Sequence, residues 1–246
     1  MKGRILYLFF AVLLFSTCSK PYVKQKETFS HLSLKENVGD NNSNKTIAEY
    51  KEKVERETEK VIAFSTDNLT KQGDESTLGN FVCDALNYSA KKEFNLPDTE
   101  IVLMNRGGLR VNLPKGEIKV LNIFELMPFE NELVLVKISG EKLFDCINYL
   151  AEKKHPYLGL QLKIENGKIK EAKIKNDEID KSKTYTIITS DYLASGGDNF
   201  VFLKEPIELK KSNLKIRDAI IEYCIYLSEN KKQIIPYTDG RFQISK

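Results

Sequence analysis

The run Leu133-Val134-Leu135-Val136-Lys137-Ile138-Ser139 passes directly into a stretch where Leu143, Phe144, Ile147 and Leu150 recur at helical spacing. The apolar run reads as a strand, and Ser139 offers the side-chain oxygen that opens a helix. Shortly beyond, Glu165-Asn166-Gly167-Lys168 separates two more strand candidates. Asn-Gly supplies the positive-φ positions of a tight hairpin, so those two strands are antiparallel neighbours. Strands and helices interspersed with a hairpin argue for an α+β or mixed α/β fold with mixed sheets and flanking helices, not a doubly wound sheet.

The same pattern extends in both directions. Towards the N-terminus, Ile101–Met104 is a compact buried strand that breaks at Arg106-Gly107-Gly108. Before it, Leu78, Phe81, Val82 and Ala85 form one helical stripe that Thr77 is placed to cap, and Val61–Ser65 is a short strand. From Thr46 to about Lys60 a charged helix carries Ile47, Tyr50 and Val54 on one face. Towards the C-terminus, Tyr185–Thr189 is a β-branched strand that empties into Ala194-Ser195-Gly196-Gly197-Asp198. A last helix runs from about Leu214 to Leu227 on Ile216, Ala219, Ile220, Tyr223 and Leu227. No repeat or linker interrupts residues 46–246, which read as one domain.

The first 45 residues read differently. Lys2 and Arg4 precede the apolar run Ile5–Phe15, which suits an export signal and is too short to span a bilayer comfortably. Phe15-Ser16-Thr17-Cys18 resembles a bacterial lipobox, although Thr17 is larger than usual and Leu14 sits one place too far back. A signal peptide over 1–17, lipidation at Cys18 and a polar tether over 18–45 are expected. They would make the protein an exported lipoprotein held at the membrane of the cell envelope. A plain secretory signal with an incidental cysteine is the other reading. Cys83, Cys146 and Cys224 each fall in an apolar helical pattern and read as packing residues, with a disulfide between two of them left open.

Composition narrows the chemistry. Of 246 residues, 41% are hydrophobic, enough for a core. Lys and Arg total 38 against 35 acidic residues, a net +3 that is too even to make nucleic acid the main partner. Two histidines, neither at metal-ligand spacing, exclude a dinuclear hydrolase site, a zinc finger and a zincin. No catalytic residue, metal or cofactor is therefore expected in this chain.

Three corners at strand ends carry what chemistry there is. Asn105-Arg106-Gly107-Gly108-Leu109-Arg110 combines close backbone approach with fork-shaped donors for a phosphate or carboxylate, and equally suits a tight turn with solvated arginines. Pro128-Phe129-Glu130-Asn131 places an aromatic beside a side chain with one donor and one acceptor face, though a core phenylalanine fits as well. Asp191-Tyr192 through Gly196-Gly197-Asp198 offers a second aromatic and a carboxylate suited to a pair of hydroxyls, or merely a loop aspartate capping its own backbone.

Taken in order with Glu75-Ser76-Thr77-Leu78-Gly79-Asn80-Phe81-Val82-Cys83-Asp84-Ala85-Leu86, these corners resemble the C-terminal domain of 5'-nucleotidases over residues 46–246. The resemblance implies a nucleoside or nucleotide as ligand, its base between Phe129 and Tyr192, the latter standing where phenylalanine is usual. It implies that Asn131 and Asn105 are base-edge or nearby polar contacts, that Asp198 receives the ribose hydroxyls, and that Arg110 reaches phosphate. Gly159, opening Gly159-Leu160-Gln161, would give close backbone approach to the base. Another phosphate-binding arginine of the family is absent here, leaving Lys71 as the only substitute. Catalysis in the family belongs to an N-terminal metallophosphatase domain with two metals, so divalent metals are expected only in a separate metallophosphatase chain. Three readings follow: half of a split nucleotidase, a stand-alone nucleoside-binding lipoprotein, or a decayed domain serving adhesion.

Overall fold

The protein is described by a computed structural model over residues 41–98 and 100–245. The expected signal peptide, Cys18, His31 and most of the tether lie outside the described residues. Residues 46–246 form one compact unit. The first helix, α1 (Asn41–Thr58), begins five positions ahead of Thr46, within the stretch read as tether. Its apolar stripe of Ile47, Tyr50 and Val54 is exposed.

A five-stranded mixed sheet is the frame on which the site is built. Its strand order is β10 (Glu208–Lys215), β4 (Glu132–Ser139), β9 (Thr184–Ser190), β2 (Ile101–Leu103) and β5 (Tyr157–Leu158). β2 and β9 run parallel, and the other neighbours are antiparallel. Successive side chains on a strand point to opposite faces, so each strand serves two cores. Val102, Leu133 and Ile188 face one core, under α2 (Thr77–Glu93) and α6 (Ile216–Glu229). Ile101, Leu103, Val134, Val136 and Ile187 face the other, with α4 (Gly140–Lys153). Leu143, Cys146, Ile147 and Leu150 are the buried positions of α4, whose cap is Ser139 accepting from the Lys142 N–H at 3.3 Å.

The Asn-Gly hairpin joins β6 (Gln161–Glu165) to β7 (Lys168–Ile174), with φ of 50° at Asn166 and 74° at Gly167. It belongs to a second, four-stranded sheet with β8 (Asp177–Glu178) and β11 (Phe242–Ser245). A small antiparallel pair, β1 (Val61–Ser65) with β3 (Gly116–Lys119), leads into α3 (Val120–Leu126). Two boundaries move relative to expectation. Ser76 rather than Thr77 caps α2, accepting from the Gly79 N–H at 2.9 Å, because the Thr77 hydroxyl is engaged by the Thr70 N–H. Leu214 lies in β10, and α6 starts at Ile216.

Cys83, Cys146 and Cys224 are all buried and free, as packing residues would be. Burial pushes the Cys224 thiol up to about 12 and the other two well above their ordinary range, so all three stay protonated thiols.

The Glu75–Leu86 motif fastens the C-terminal segment. The Glu75 carboxylate accepts from Asn80 Nδ2 (2.7 Å), the Asp239 N–H (2.9 Å) and the Gly240 N–H (3.1 Å). Further along α2, Asp84 accepts from the Tyr237 hydroxyl at 2.6 Å. Arg241, also buried, is held by Asp239 and by the Tyr157 carbonyl at 2.9 Å. The start of α2, the sheet edge and the chain end are thereby locked together.

Candidate functional site

The three corners meet. Asn105, Arg110, Phe129, Asn131, Tyr192 and Asp198 line one cleft of ≈ 360 Å³, together with Met104, Met127 and the Gly107-Gly108 backbone. That volume is within the range of small-molecule sites. The cleft opens at one end of the five-stranded sheet, where β2 and β9, running parallel, both release their loops. A crevice outside the carboxyl ends of parallel strands is where open sheets usually hold ligands.

Each wall has its own support. Phe129 and Tyr192 keep 38% and 42% of their surface exposed, although large aromatics gain most by burial. The Phe129 loop is pinned on both sides: Arg217 pairs with Glu130 at 2.8 Å and lies over the Phe124 ring, and the Asn131 carbonyl accepts from the Ile216 N–H at 2.9 Å. Asp191 then ties the two aromatic loops together. One of its carboxylate oxygens accepts from both the Glu132 N–H (3.1 Å) and the Tyr192 N–H (2.7 Å).

Asp198 stands at the opposite side with φ 47° and ψ 37°, a left-handed posture that aspartate tolerates better than most residues. Its Oδ1 accepts from the Tyr192 hydroxyl at 2.8 Å, and its Oδ2 accepts from Asn105 Nδ2. The Asp198 N–H donates back to the Tyr192 oxygen at 3.2 Å. Donation to Asp198 raises the Tyr192 phenol above its ordinary value. Gly197 must be glycine here, since a Cβ would overlap the Tyr192 ring. The ring therefore packs closely against the Gly197 backbone while lining the cleft.

The basic side is thinner. Arg110 is exposed, donates to the Gly107 carbonyl at 3.2 Å and lines the cleft mouth. Lys71 does not line it, because its ammonium donates to the Leu109 carbonyl at 3.2 Å and reaches the Arg110 carbonyl at 3.5 Å behind the turn. Arg106 turns away and donates to the Gly73 carbonyl at 2.7 Å.

Gly159 does not join this group. It lies beyond β5 with φ +81°, where a Cβ would stand 2.8 Å from the Glu100 carbonyl oxygen. Its close approach is to a neighbouring strand, and it stands apart from the other residues expected to meet the ligand. Gly159 lines a different and larger cleft of ≈ 570 Å³ with Glu100, Gln161, Lys175 and Tyr185. That one is lined by a single aromatic, Tyr185, against Phe129 and Tyr192 here, so size alone does not select it.

Asp191, Arg217, Tyr149 and His155 support these walls without standing out as site residues in the sequence. The Tyr149 hydroxyl donates to the Asp198 carbonyl at 2.7 Å. None of the four follows from local patterning, because each acts across the fold. Among the described residues no three His, Cys, Asp or Glu side chains are grouped as metal ligands, and no helix is long and apolar enough to cross a membrane.

Two aromatic side chains, two buried or half-buried asparagines, one carboxylate and one arginine, presented on strand-end loops, line one cleft of an α+β domain. The family model described as 5'-nucleotidase, C-terminal domain matches residues 54–205. The chain belongs to that family. It is 26% identical over 208 residues to an apyrase of Tabanus yao, covering 73% of this chain and 38% of the relative. It is 28% identical over 168 residues to a 5'-nucleotidase of Vibrio parahaemolyticus, covering 66% of this chain and 27% of the relative. The chain thus spans well under half the length of these curated relatives. The 5'-nucleotidase precursor from Thermus thermophilus shares the fold with a TM-score of 0.70 at 23% identity, over 82% of this chain and 43% of that one. An NAD nucleotidase of Haemophilus influenzae does so with a TM-score of 0.62 at 18% identity, over 84% and 42%.

Proposed function

We propose that this chain is the nucleoside-recognition half of a split, exported 5'-nucleotidase, with a separate metallophosphatase chain hydrolysing the phosphate ester. The observation that carries the reading is the meeting of Phe129, Tyr192, Asn131 and Asp198 around one cleft. In this reading the base stacks between the two rings, each worth about 1–3 kcal/mol. Asn131 and Asn105 meet polar edges of the nucleoside, Asp198 accepts from the ribose hydroxyls, and Arg110 at the mouth receives the phosphate. Two rings and a charge-assisted diol contact support affinity in the roughly micromolar to millimolar range.

Hydrolysis needs a group this chain is poorly equipped to hold. A two-metal site takes several histidines and carboxylates, and only two histidines are present in 246 residues. The metals and the attacking water are therefore assigned to the partner chain. Export and a lipid anchor at Cys18 would place both partners at the cell envelope. The test is to mix the pure protein with a candidate exported metallophosphatase and a nucleoside monophosphate. Association with a gain in metal-dependent phosphate release supports the split enzyme; no association and no gain sinks it. The second reading, a stand-alone nucleoside-binding lipoprotein, is favoured by the completeness of the cleft within one chain. It predicts saturable adenosine binding without any partner-dependent chemistry.

A further inference from the structure

His155 does not touch the cleft, yet it joins the two loops that form one wall. Its Nδ1 accepts from the Arg106 N–H at 3.1 Å, at the entry to the Asn105–Arg110 turn. An accepting Nδ1 requires the neutral ring with its proton on Nε2. The imidazole packs against Tyr149 and Phe200, with ring centroids 5.3 and 5.1 Å away. Tyr149 in turn donates to the Asp198 carbonyl, and the Asp198 carboxylate accepts from Asn105. The contacts close a circuit: Arg106 to His155, His155 to Tyr149, Tyr149 to Asp198, Asp198 to Asn105, which adjoins Arg106.

We propose that His155 is a positioning residue, whose acceptor nitrogen fixes the Asn105–Arg110 turn relative to Asp198 and so sets nucleoside affinity without touching the ligand. The proposal rests on the nucleoside reading above and deepens it. Binding groups must be held to within about half an ångström of productive geometry, and supporting hydrogen bonds do that holding. The charges that act on the ring are Arg106 on the turn, Asp198 on its loop and Lys153 on α4, with the Tyr149 phenol beside it, and Asp74, Glu75, Lys154 and Arg241 line the small pocket on its other side. Burial lowers the His155 pKa to about 4; Asp198 opposes that, while Arg106 and Lys153 reinforce it. The acceptor is therefore present at neutral pH. Protonation would put an N–H against the Arg106 N–H and open the circuit.

The test is calorimetric titration with adenosine, beside melting curves, for wild type, His155→Leu and His155→Asn. Leucine fills the space without an acceptor, whereas asparagine carries one near the position of Nδ1. Leucine should weaken adenosine binding roughly tenfold, the equivalent of one hydrogen bond of about 1.4 kcal/mol. Asparagine should stay within about threefold of wild type. The ratio of wild-type to His155→Asn affinity should fall as pH drops through about 4. If His155→Leu binds as wild type does, or His155→Asn is as weak as His155→Leu with all three melting alike, the positioning role is overturned and the nucleoside reading stands. If His155→Leu does not fold, the asparagine variant and the pH ratio decide. Wild type that ignores adenosine at millimolar concentration overturns both.

Discussion

Asp198→Asn tests ribose recognition when a ligand that has the diol is compared with one that lacks it. The substitution preserves the side-chain outline, and asparagine tolerates the left-handed backbone of this position (φ 47°). It removes the charge and turns one acceptor into a carboxamide NH2 donor, which would meet the Asn105 amide or the Tyr192 hydroxyl, both donors to Asp198. Each carboxylate oxygen has a second lone pair for a ribose hydroxyl once its protein donor is satisfied. Hydrogen bonds to a charged group contribute about 1.5–3 kcal/mol against about 0.5–1.5 for neutral ones. Two diol contacts that lose the charge should together cost about 2–3 kcal/mol, or roughly 30–150-fold in affinity. For 2',3'-dideoxyadenosine, which has no diol, the same variant should lose only what the disturbed Asn105 and Tyr192 contacts contribute, clearly less than it loses for adenosine. The assay is a calorimetric cycle of two proteins against two ligands, which isolates the coupling between carboxylate and diol. Equal losses for the two ligands, or undiminished adenosine binding, would refute the assignment of Asp198 to the ribose.

Phe129→Ala should weaken any nucleoside by about 1–3 kcal/mol, with little preference among bases, because every base has a π-face; its melting temperature should barely move, since the ring is 38% exposed. Glu75→Ala should destabilise the fold by about 2–4 kcal/mol in urea titration, because the Asp239 and Gly240 N–H groups lose their acceptor. His155 also makes stability depend on pH. Its folded pKa of about 4 lies below the ordinary 6.5, so its contribution is fully present above about 6.5 and is lost as pH falls towards 4. For this half-buried ring the loss is about 2 kcal/mol between those limits. A His155→Asn variant should show a correspondingly shallower loss of denaturation midpoint between pH 7 and 4.5, and parallel curves would contradict the shift.

What was legible in the sequence was local. Strand β4 with its Ser139 cap, the Asn166-Gly167 hairpin and the buried stripe of α4 follow from periodicity and turn chemistry over a few residues. Strand β10 was not legible, because Glu208, Lys210 and Lys211 lie on an exposed sheet edge, where pairing with β4 supplies the order that composition does not. Short β3 and α3 likewise owe their existence to β1 and to the core beneath them. The cleft residues stood out because glycines, a proline and aromatics mark their corners. Their supports did not: Asp191 bonds 59 residues back to Glu132, and His155 bonds 49 residues back to Arg106. Gly159 stood out in the sequence too, yet its positive φ and tight backbone contact lie against the neighbouring strand and away from the cleft.

The most direct measurement is a crystal structure of the protein with adenosine bound. The account predicts the base between Phe129 and Tyr192, the ribose hydroxyls on Asp198, and an unchanged Arg106–His155 hydrogen bond. Adenosine seated instead in the larger cleft beside Gly159, or absent at millimolar concentration while both clefts face solvent, would contradict it.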